Sequence, residues 1–80
     1  MRLMKNDKEL FDLTKRYAHL EDQFQIVATE FEIEEIKEAM EEILSTLLEK
    51  RYDADKFVYY KKMYKEMTMG EYFEFIKKLQ

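Results

Sequence analysis

Residues 29–51 read TEFEIEEIKEAMEEILSTLLEKR, and the spacing of their apolar positions decides the fold class. Ile33, Ile36, Met40, Ile43 and Leu47 recur at steps of three, four, three and four. That period stacks them on one face of an α-helix. Ala39, Leu44 and Leu48 widen the stripe, which predicts a helix packed against more than one neighbour. Glu34, Glu35, Lys37, Glu38, Glu41 and Glu42 fill the outward side. Thr29 and Glu32 have capping-box spacing, and no Gly or Pro interrupts the run.

Upstream, Leu10, Leu13, Tyr17, Leu20, Phe24 and Val27 repeat the three-four step, behind Asn6 or Asp7 as an N-cap. One helix over 7–28 is the simplest account. The connection to the next helix is then very short, which favours an antiparallel hairpin. Two other readings compete. The helix could break near Leu20, with Asp22 and Gln25 forming a fresh capping box. Alternation of Phe24, Ile26 and Ala28 could make a short strand, but an isolated strand leaves its edges unpaired. Residues 1–6 read as a loose start from which Leu3 and Met4 could fold back.

Downstream, Asp53 is a good N-cap for a helix over 54–67, with Phe57, Tyr60, Tyr64 and Met67 facing inward and Tyr59 and Lys62 outward. Thr68 and Glu71 form another capping box, opening a helix over 69–79. Phe73, Ile76 and Leu79 give its inner face, which Tyr72 or Met69 could join; Phe75 points differently as a contact residue, and Gly70 could permit a close approach. These two helices are too short to stand alone and must dock on the hairpin. The expectation is an all-α, four-helix single domain over 1–80: a long antiparallel hairpin (7–28 and 30–51) covered by helices 54–67 and 69–79.

Eighty residues bury only about 60–65% of the surface the unfolded chain exposes, so a partner or second copy would add stability. The 46% hydrophobic content is ample for a core despite 40% charged residues. With no Cys, disulfides and thiol chemistry are excluded. No long apolar run suggests a signal peptide or membrane span, so a cytoplasmic protein without a membrane partner is expected.

The net charge of -4 is unevenly spread. Residues 1–50 hold 7 basic and 13 acidic side chains; residues 51–80 hold 7 and 5. Such polarity bears on partners and steering. On the acidic side, Glu34, Glu35, Glu38, Glu41 and Glu42 make a carboxylate row that, with Phe31 and Phe75, is the candidate protein-binding set. The same row could imitate a nucleic-acid backbone and act as an inhibitor, although Lys37 interrupts it. On the basic side, Arg51, Tyr52, Lys56, Tyr59, Lys61, Lys62 and Lys65 interleave cations with aromatics, as single-stranded nucleic-acid binders do. That segment could equally neutralise the acidic hairpin, or meet the acidic face of another copy.

Catalysis and metal binding find little support. His19 is the only histidine, with Asp22 a turn away and no nucleophile nearby in sequence. Thr14 and Ser45 read as hydroxyls bonded to their own backbone. No cation-binding loop is present, nor the Glu-x-x-His pairs of di-metal bundles. A helix-turn-helix reading of 26–36 would set glutamates against phosphates. The expectation is a non-catalytic protein-interaction, adaptor or regulatory module without cofactor or metal, self-association being one form it could take.

Overall fold

The structure, a computed structural model, describes residues 7–27 and 29–79. The described residues form four α-helices: α1 (Asp7–Ile26), α2 (Glu30–Glu49), α3 (Ala54–Glu66) and α4 (Met69–Leu79). No strand occurs among the described residues, and α1 runs unbroken through Leu20, which removes both competing readings of that segment. The expected helix end at Ala28 comes early, at Ile26. The roles suggested for Leu3, Met4 and Asn6 lie outside the described residues.

The caps are where local chemistry puts them. Thr29 Oγ1 accepts from the Glu32 amide at 3.2 Å, and the Asp53 carboxylate accepts from the Asp55 amide at 2.8 Å. Before α4 the box is reciprocal: the Glu71 amide donates to Thr68 Oγ1 at 3.2 Å, and the Thr68 amide donates to Glu71 Oε1 at 2.9 Å. The Thr68 amide, and after it the Thr68 hydroxyl, hold the Glu71 carboxyl below its usual pKa. α2 ends in a Schellman motif. The Tyr52 amide donates to the Leu47 carbonyl and the Arg51 amide to that of Leu48. The motif requires a left-handed residue, and here it is Arg51, at φ 58°, rather than glycine.

α1 is the hub. It packs along α2 and α3 and against α4, while the other three helices approach one another little. The salt bridge from Lys50 to Glu9 ties the end of α2 to the start of α1, as an antiparallel hairpin demands. α3 runs in the same sense as α1: Lys56 reaches Asp7, whereas Lys65 reaches Glu21. α4 returns antiparallel, with Tyr72 near Lys15 and Phe75 near Phe11. Both short helices thus dock on the first helix, not on the hairpin as a whole.

The reason lies in a second row on α1. Asp7, Phe11, Thr14 and Ala18 follow a four-three-four step and are all buried. Phe11 is the centre of an aromatic cluster, with ring centroids 5.9 Å from Tyr60, 6.0 Å from Tyr64 and 4.7 Å from Phe75. Thr14 satisfies its hydroxyl on the Leu10 carbonyl at 2.7 Å. Asp7 accepts from the Tyr60 hydroxyl at 2.6 Å and pairs with Lys56 at 3.2 Å. A buried carboxylate at a helix N-terminus, with a hydroxyl and an ammonium, meets its desolvation cost with two strong partners.

Several inward residues differ from expectation. Phe73 is 56% exposed, while Phe75 is buried. α4 is rotated so that Phe75, with Tyr72, Ile76 and Leu79, faces the cluster in place of Phe73. Phe24 is exposed because α3 and α4 do not reach the hairpin's tip. Gly70 has open space around it, with Thr68 Oγ1 the nearest neighbour at 4.0 Å from an added Cβ, so no close approach explains it.

Candidate interaction surface

The molecule measures 40 × 30 × 18 Å. Its shortest extent is under two helix diameters of about 10–12 Å each, so every outer helix leaves a face in water. On α2 that consequence is plainest. Ile36, Ile43 and Leu47 are buried on α1, but Leu44 is 38% and Leu48 81% exposed. Among the described residues, the second neighbour predicted for Leu44 and Leu48 does not cover them, because α3 leaves the end of α2 to pack along α1.

What remains is a groove between the last turns of α2 and the first turn of α3. Leu44, Leu47, Leu48, Tyr52, Asp53, Ala54 and Phe57 line it, and its volume is about 230 Å³. Its shape follows from the Schellman turn, which brings Tyr52 back beside Leu47. Its floor is firm: Phe57 stacks edge-on against Tyr17 at 5.3 Å, with the Lys61 ammonium 5.4 Å from the Tyr17 ring and 5.7 Å from that of Phe57. Burial raises the Tyr52 hydroxyl above the usual tyrosine range. The Lys50 ammonium, bonded to Glu9, pulls that carboxyl down and is itself raised.

The glutamates foreseen as a binding row are all at the surface. Glu34, Glu35, Glu38, Glu41 and Glu42 are exposed, and no ion pair engages them among the described residues. Phe31 shares their outward side and is 71% exposed. Phe75, foreseen as a contact residue, is buried against Tyr60 and Phe11.

The basic segment divides. Lys56 pairs with Asp7, Lys61 and Lys65 each reach Glu21 at 3.3 Å, and Lys50 bonds Glu9. Tyr52 is half-buried, leaving Arg51, Tyr59 and Lys62 outward without such a pairing among the described residues. Much of the segment's charge thus faces carboxylates of α1.

A second, open cleft of about 640 Å³ lies between α1 and the α3–α4 turn and includes Lys15, His19, Asp22, Tyr64, Thr68 and Tyr72. Its groups are mutually engaged. His19 Nε2 lies 2.8 Å from the Tyr64 hydroxyl, and Lys15 donates to the Tyr72 hydroxyl at 2.6 Å, a bond that raises the Lys15 pKa. Among the described residues no cluster of His, Cys, Asp and Glu is arranged to hold a metal ion, and no helix is long and apolar enough to cross a membrane.

Comparison with known proteins finds no matching family model, no matching curated relative and no matching solved structure.

Proposed function

We propose that this chain is a small non-catalytic protein-binding module whose receiving surface is the α2–α3 groove. The observation that carries the reading is Leu48, 81% exposed at the edge of a groove lined mostly by apolar side chains. Scattered surface leucines are ordinary, but Leu44, Leu48, Tyr52 and Phe57 are contiguous and shaped as a concavity. Covering one such leucine is worth about 1.5–3 kcal/mol, so a fitted partner gains affinity there without remodelling the fold. Asp53 at the groove and the exposed glutamates elsewhere on α2 favour partners bearing complementary charge. Nucleic-acid binding through the basic segment is less well supported, since Lys56, Lys61 and Lys65 already have carboxylate partners.

The test compares affinity capture with wild-type and Leu48→Asp baits in cells that also express an untagged copy. Leu48 is outside the core, so the substitution changes stability by under about 0.5 kcal/mol. The reading expects proteins, or the untagged copy, held by the wild type and lost by the variant. Identical capture by both baits refutes it.

A further inference from the structure

We infer that the occupant of the groove is a basic segment of another protein, which sets large apolar side chains between the two walls and a Lys or Arg at each end. This rests on the groove being the binding surface, and it adds the chemistry of the partner.

The cavity fixes the apolar part. Its volume of about 230 Å³ equals roughly seven or eight waters at about 30 Å³ each, so it takes one or two large apolar side chains. Leu44 and Leu48 stand on one wall, Ala54 and Phe57 on the other. Val58, 58% exposed and one turn beyond Ala54 on the same face of α3, extends the second wall. Among the lining residues Asp53 alone carries a charge. It marks one end of the groove, where the Tyr52 amide bonds the Leu47 carbonyl and turns the chain back beside α2. One of its oxygens caps the Asp55 amide, and the carboxylate has room for a second donor. Glu41 marks the other end. It lies one turn before Leu44 on the same face of α2, and about 10 Å before Leu48. Two carboxylates thus bracket the leucine pair.

The surroundings decide the sign of the occupant's charge. From Lys37 to Asp55 there are six exposed carboxylates (Glu38, Glu41, Glu42, Glu49, Asp53 and Asp55) against two exposed cations, Lys37 and Arg51. None of these eight makes an ion pair among the described residues. The third cation of the stretch, Lys50, is engaged by Glu9. The lysines of α3 do not redress the balance, because Lys56 pairs with Asp7, and Lys61 and Lys65 with Glu21. Folding has neutralised the basic wall and left the acidic one open. A basic segment gives Glu41 and Asp53 a counter-ion each, where a neutral or acidic one gives neither. Such rim pairs hold weakly, so they select the segment and speed its arrival while the leucines retain it.

The experiment is fluorescence anisotropy of two labelled synthetic helical peptides with the full chain at low salt. One contains Lys-x-x-Leu-Leu-x-x-Lys, its lysines about two turns apart to meet Glu41 and Asp53. The other has glutamates in place of the lysines. The lysine peptide is expected to bind, and the glutamate peptide to bind about tenfold more weakly or less. Leu48→Asp weakens the lysine peptide about tenfold although it adds a negative charge, which diffuse attraction to α2 cannot produce. Glu41→Lys weakens it about fivefold; Glu35→Lys, the same change on the opposite face of α2, has a far smaller effect. Two peptides of equal affinity, both lost in Leu48→Asp, overturn the charge assignment and leave the groove to a partner of other chemistry. A lysine peptide indifferent to Leu48→Asp, or tightened by it, overturns the inference, as does equal weakening by the two glutamate reversals. Failure of both peptides to bind at about 1 mM also overturns it, and Leu48-dependent capture then decides the groove reading by itself. Self-association of the free chain that Leu48→Asp abolishes gives the groove to a second copy instead.

Discussion

The Tyr60 hydroxyl offers the sharpest test of how this fold is held. Tyr60 is fully buried, and its Oη lies 2.6 Å from Asp7 Oδ2. The Asp7 side chain is 5% exposed, and its other partner is the Lys56 ammonium at 3.2 Å. Tyr60→Phe keeps the ring and its contacts with Phe11 and Phe75. It removes one hydrogen bond and leaves a buried carboxylate with a lone cation. A hydrogen bond to a charged group contributes about 1.5–3 kcal/mol when its loss leaves the acceptor dry. An 80-residue chain has a total stability of about 4–12 kcal/mol, so the change is a sizeable fraction of it. At about 4–8 °C per kcal/mol for a domain of this size, a loss of about 2 kcal/mol lowers the melting temperature by roughly 8–16 °C. Urea unfolding followed by circular dichroism measures it directly. Tyr59→Phe is the control: Tyr59 is 47% exposed and forms no side-chain hydrogen bond among the described residues, so under about 0.5 kcal/mol is expected. In a double-mutant cycle with Asp7→Asn, the two losses should couple by about 1 kcal/mol or more. A Tyr60→Phe variant as stable as the control would refute the claim that this bond anchors α3 to the start of α1.

Two further expectations follow from the same core. Burial, aided by Asp7 for Tyr60, raises the hydroxyls of Tyr60, Tyr17 and Tyr52 above the ordinary tyrosine value of 10.0. The folded chain therefore holds protons that the unfolded chain releases near pH 10, so this stabilisation is complete below that pH and declines as pH rises through the folded values; urea midpoints from about pH 8 to about pH 11 should fall, and fall less steeply in Tyr60→Phe. On α4, Phe75→Ala should cost about 3–5 kcal/mol and Phe73→Ala under about 0.5 kcal/mol in thermal melts, because only Phe75 is buried against Phe11.

The helices and their ends were legible in the sequence because their causes are local. A three-four apolar step needs no distant partner to indicate a helix. Thr29, Asp53 and Thr68 can bond only amides two or three residues ahead, so cap and helix start are written within four residues. The exposed glutamates of α2 were equally readable, since carboxylates without partners stay in water. The candidate groove was half legible. Leu44 and Leu48 announced a second apolar flank, but not that no neighbour among the described residues would cover it.

What sequence reading could not reach is which row of a helix lies deepest. On α1, hydropathy favours Leu10, Leu13, Tyr17, Leu20 and Phe24, yet the most buried row is Asp7, Phe11, Thr14 and Ala18. Asp7 can be buried only because Tyr60 and Lys56, some fifty residues on, bring a hydroxyl and an ammonium to it. Thr14 can be buried because its hydroxyl closes on Leu10, leaving space for Phe11 to gather rings from α3 and α4. The rotation of α4, which trades Phe73 for Phe75, follows from that cluster. Local sequence therefore determined where the helices begin, how they are capped and that the carboxylates of α2 stay in water. Only tertiary packing decided that α1 is the hub and that α2 keeps an uncovered leucine edge, because burial of a polar group depends on partners that no local pattern contains.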